Sequence, residues 1–73
     1  MAISSATHLR LQLEQRVRAR TGRRVRNLAI EMSSERVVLR GHADTYYIKQ
    51  LAQHGVRDLL PQVRLDNDIV VGE

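Results

Sequence analysis

The stretch "IKQLAQHGVRDLLPQVRLDNDIVV" (residues 48–71) changes its period halfway, and that change decides the fold. Ile48, Leu51, Ala52, Gly55, Val56 and Leu59 fall at i, i+3, i+4, i+7, i+8 and i+11, one face of an α-helix. Asp44 or Thr45 begins this helix, and Pro61 ends it or fixes the turn beyond. Gly55 lies on the stripe although glycine costs a helix about 1 kcal/mol relative to alanine. The expected return is a close approach of the helix backbone to a sheet. From Val63 the period falls to two. Val63, Leu65, Ile69 and Val71 alternate with Arg64, Asp66, Asp68 and Val70, a strand whose apolar face Asn67 interrupts.

Upstream, a period of two also follows Gly22. Leu28, Ile30 and Met32 face one way and Ala29 and Glu31 the other; "SSE" supplies a turn, and Val37 and Leu39 resume the alternation before Gly41. This predicts a hairpin with strands near 25–32 and 36–41, leaving open the side to which Arg26 and Arg40 project. Before Gly22, Leu9, Leu13 and Val17 recur every four residues, so a helix is expected from about Thr7 to Arg20, capped by Ser4, Ser5 or Thr7. Gly22 is its stop, free to adopt positive φ. Residues 1–6 are expected to be a short flexible start to a single domain spanning 1–73.

The predicted order is α-β-β-α-β, an α+β two-layer domain with a three-stranded mixed sheet backed by two helices. The second helix serves as a right-handed crossover between parallel strands two and three. Free sheet edges and the uncovered face, with Val38, Ala29 and Val70 among charges, offer a route to self-association.

The charge is uneven. Residues 1–26 hold seven arginines against Glu14, and five of them lie in "RARTGRRVR" (18–26). Arg18 and Arg20 suit a helix carboxyl end, where cations oppose the dipole. Arg23, Arg24 and Arg26 follow the stop and lack that explanation. Together Arg18, Arg20, Arg23, Arg24 and Arg26 are the candidate anionic-surface site, because guanidinium forks match phosphate geometry. Tyr46 and Tyr47 are the only aromatic residues. Tyr47, four residues before Leu51, is expected to cover the core edge; Tyr46 and Lys49 are the candidates for contact with a partner.

Chemistry of other kinds finds little support. The chain has no cysteine, which removes disulfides and thiolate sites. His8, His42 and His54 fall on three separate elements without metal-ligand spacing, and His42 is read as a turn residue within reach of Asp44. Asp66 and Asp68 share one strand face and lack the second element that acid-base work requires. Neither a nucleophile elbow nor a phosphate loop is present. No enzyme, cofactor or metal is expected. The absence of a long apolar run argues against a membrane span, and the start lacks a secretory pattern, so a cytoplasmic location is expected.

"VVLRGHA" (37–43), "IKQLAQHGV" (48–56) and "VRLDNDIVV" (63–71) resemble the BON domain, a small bacterial module of osmotic-shock, nodulation and secretin-related proteins. Leu39 and Gly41 match its apolar-x-glycine strand ending, Ala52 its small helix residue, and Leu65, Asn67, Ile69 and Val71 its final strand. The resemblance implies a non-catalytic domain that binds phospholipids or attaches to envelope components. It also implies that Asn67 orders the last strand and its neighbouring loop. Pro61 and Gln62 replace the family's usual glycine and apolar residue before that strand, and many relatives are exported. The partners expected are therefore anionic lipid headgroups, with another protein or a second copy as the alternative. Nucleic acid comes third, since no stacking platform lies near the arginines in sequence.

Overall fold

The chain, described over residues 5–72 by a computed structural model, forms α1 (Ser5–Thr21), β1 (Val25–Met32), β2 (Arg36–Ala43), α2 (Tyr46–Leu59) and β3 (Arg64–Val71). β2 is central, antiparallel to β1 and parallel to β3, so the α-β-β-α-β order and the mixed sheet backed by two helices are as predicted. Of the flexible start expected over 1–6, residues 1–4 lie outside the described residues, whereas residues 5 and 6 belong to α1. Of the three expected caps, Ser4 lies outside the described residues, and Ser5 and Thr7 fall within the bounds of α1.

The core joins Leu13 and Val17 of α1 to Ile48, Ala52 and Val56 of α2 over Ile30, Val37, Leu39, Ala43 and Ile69 of the sheet. The four-residue stripe of α1 runs one step further than expected. Thr21 is buried, and its Oγ1 donates to the Val17 carbonyl at 2.8 Å, which satisfies the hydroxyl inside the core. Gly22 then takes φ +63° and the Arg23 N–H donates to the Arg18 carbonyl at 3.1 Å, a Schellman closure. Thr45 caps α2, its hydroxyl accepting from the Ile48 N–H at 3.2 Å.

Two packing expectations are corrected. Gly55 does approach a backbone closely, but that backbone belongs to α1: a Cβ at Gly55 would lie 2.9 Å from Val17 Cα. The glycine lets two helices cross; it does not seat a helix on the sheet. Tyr47 is not core trimming either. It is 66% exposed and Tyr46 61%, because the buried stripe of α2 begins at Ile48 and runs through Ala52, Gly55 and Val56.

A bulge settles the sides of Arg26 and Arg40. Arg26 pairs with His42 and Ala29 with Arg40, so three steps of β1 match two of β2, and Asn27 sits at φ +55° within the irregularity. The extra residue turns Val25 toward the core and Arg26 to the face away from the helices, which it shares with Arg40. Gly41 lies opposite, at φ +150°. A Cβ there would meet Val25 Cγ1 at 2.8 Å and the Arg26 carbonyl oxygen at 2.9 Å. Only glycine fits both the space and the conformation.

Candidate anionic-surface site

The five arginines of the cluster have different fates. Arg18 faces Glu14 one turn earlier at 3.9 Å, and Arg26 reaches Asp44 at 3.2 Å. Arg20 grips Asp58 of α2 with two bonds of 2.7 Å, through Nε and Nη2. Those hydrogen bonds hold the Asp58 carboxyl below its ordinary value and raise the Arg20 guanidinium in turn; partial desolvation of Asp58 opposes the shift, while the Arg20, Arg16 and His54 charges add to it. Arg23 and Arg24 are exposed, and among the described residues neither side chain has an acidic partner. Arg23 lines a shallow open depression with Gln15, Arg18 and Ala19, which brings it beside Arg18. The sequence cluster thus divides into three arginines with internal carboxylate partners and two without.

Sheet register determines what surrounds those two. Val25, Ala43 and Val71 form one row across the sheet, and Arg26, His42 and Val70 the next. The start of β1 and the ends of β2 and β3 therefore share one end of the molecule, closed by the Gly72 N–H donating to the Ala43 carbonyl at 3.0 Å. The Gly22–Arg24 loop enters at this end and Asp44–Tyr47 leaves from it. Tyrosines and arginines far apart in sequence are brought to one rim. Val70, 57% exposed, and Val71, 39% exposed, join them. Sequence reading placed Val70 on the uncovered sheet face but did not bring it to the same end as the tyrosines and arginines. The available signal was Val70 itself, an apolar residue in the polar phase of its strand.

Lys49 is half-buried one turn after Tyr46, and its carbonyl accepts from Asn67 Nδ2 at 2.9 Å. Asn67 Oδ1 accepts from the Ile69 N–H at 3.3 Å, so the amide ties β3 to α2 as well as to its own strand. Pro61 occupies the exposed turn after α2. Arg57 Nη1 donates across that turn to the carbonyls of Pro61 at 3.2 Å and Val63 at 2.5 Å. Asp44 pairs with Arg26 rather than with His42. Among the described residues no three histidine or carboxylate side chains gather as a metal site, and no helix is long and apolar enough to cross a membrane.

Comparison with protein-family models, curated proteins and solved structures returns no match for this chain.

Proposed function

We propose that this chain is a non-enzymatic, BON-like interaction domain that contacts anionic phospholipid surfaces through Arg23 and Arg24. The observation that carries the reading is that, among the described residues, these two side chains have no acidic partner beside three neighbours that do. Backbone conformation supports it independently. Arg23 holds φ +62°, where a non-glycine residue costs roughly 1–2 kcal/mol. Stability alone favours glycine or asparagine there, and strain of this kind concentrates at ligand-contacting positions. Arg18, Arg20 and Arg26 then act as a supporting positive field.

The test is association with anionic and neutral vesicles at matched salt. The intact chain should bind the anionic vesicles, release with rising salt, and lose most of that binding as Arg23→Ala/Arg24→Ala. Equal behaviour toward both vesicle types overturns the proposal. Salt-dependent RNA or DNA binding without vesicle binding would favour the nucleic-acid reading instead. Concentration-dependent dimers without vesicle binding would favour self-association.

A further inference from the structure

Among the described residues, four of the five exposed large apolar residues, Tyr46, Tyr47, Val70 and Val71, belong to the same end of the sheet as Arg23 and Arg24; the fifth, Leu11, is on α1. We infer that the domain docks end-on, with Tyr46, Tyr47 and Val70 lying at the headgroup–acyl boundary of an anionic phospholipid bilayer while Arg23, Arg24 and Lys49 meet the phosphates. This rests on the lipid contact proposed above and adds a seat for the apolar side chains.

The mixture of side chains selects the occupant. A polyanion without aromatic or apolar groups would engage the guanidinium groups and leave the tyrosines in water. A single-stranded nucleic acid stacks bases on tyrosine, and its salt-dependent binding without vesicle binding is the outcome that overturns the bilayer. An apolar protein patch would cover the tyrosines and gain nothing from the arginines. A bilayer boundary offers phosphate charge and apolar contact within a few ångströms, and tyrosine suits that layer because its ring packs while its hydroxyl stays wet. Asp44, the acid nearest the tyrosines in sequence, has its charge opposed by Arg26 at 3.2 Å, which reduces repulsion from anionic lipid. Tyr46 and Lys49 are spaced i, i+3 on α2, so the ammonium can rise past the ring toward phosphate. Neither phenylalanine nor tryptophan occurs in the chain, so the contact is shallow.

The chain carries its own reporter. With two tyrosines and no tryptophan, its intrinsic emission comes from Tyr46 and Tyr47 alone. Mixed phosphatidylcholine–phosphatidylglycerol vesicles, with and without bromine on the acyl chains, should bind the intact chain equally, and only the brominated lipid should quench its emission. Tyr46→Ser/Tyr47→Ser should bind about ten-fold more weakly with an unchanged salt slope. Tyr46→Phe/Tyr47→Phe should restore binding, with circular dichroism verifying the fold of both. Salt-dependent binding without quenching, and with full affinity in the serine variant, overturns the insertion and leaves the electrostatic contact standing. Absence of vesicle binding overturns both. A concentration-dependent dimer abolished by the serine substitutions, again without quenching, assigns the surface to a second copy.

Discussion

The two ends of the sheet differ in what most of their arginines hold. At the end holding the Ser33–Glu35 turn and the start of β3, Arg57 and Arg36 bind the protein to itself, while Arg64 is exposed. Arg57 reaches the carbonyls of Pro61 and Val63, Arg36 pairs with Asp66, and Ser33 receives the chain back through its N–H to the Arg36 carbonyl at 2.9 Å. At the other end Arg26 pairs with Asp44, but among the described residues the side chains of Arg23 and Arg24 have no acidic partner, and exposed tyrosine and valine belong to the same end of the sheet. Charge content alone does not distinguish these ends. What distinguishes one arginine from another is whether a carboxylate or an orphan carbonyl lies within its reach.

The largest expected effect is at the residue that sets the register between β1 and β2. Gly41→Ala places a methyl against Val25 and the Arg26 carbonyl and forces alanine to φ +150°. Overpacking and backbone strain together predict a loss of about 3 kcal/mol in denaturant unfolding. Hydrogen exchange should locate the damage at residues 25–28, ahead of the 33–36 turn. Uniform acceleration at both ends would deny the bulge its organising role.

The fold was legible in the sequence because its signals are local. A helical stripe from Ile48 to Leu59, alternation from Val63, and the turns at Gly22 and Ser33–Glu35 are each read within a dozen residues. The site was legible only in part, because pairing is not local. Nothing near Arg20 in sequence announces Asp58, thirty-eight residues away. The bulge that sends Arg26 outward depends on Asn27 accepting a left-handed backbone opposite Gly41, a coincidence of two distant positions. Gly55 shows the same limit: its small size is visible in sequence, but Val17 as its neighbour is not.

A pair of substitutions then separates the ends at intermediate magnitude. Arg57→Ala removes the donors to Pro61 and Val63 and should cost about 2 kcal/mol in stability, leaving vesicle binding unchanged. Arg23→Gly should do the reverse. It relieves the left-handed strain at φ +62°, so stability should hold or rise by up to about 1 kcal/mol while vesicle binding falls. If Arg23→Gly destabilises the chain as Arg57→Ala does, the contrast between the ends collapses.

The smallest effect sharpens the contrast at its boundary, where Arg20 stands in the last turn of α1. Its two bonds lower the folded-state value of Asp58 below the ordinary 3.8. A depressed carboxylate value means that the pair's contribution is fully present above the unfolded value and lost as pH falls through the folded one. The stability difference between the natural chain and Asp58→Asn should therefore be constant near neutrality and close under acid, below the ordinary aspartate range. Both groups are partly solvated, so rising salt should shrink the same difference. The substitution also removes one negative charge and frees Arg20 beside the Gly22–Arg24 loop. If internal pairing is what withholds Arg20 from lipid, anionic-vesicle binding by Asp58→Asn should rise modestly. It should fall back in Asp58→Asn/Arg20→Ala. A rise that survives removal of Arg20 would mean that net charge, rather than the released guanidinium, governs the contact.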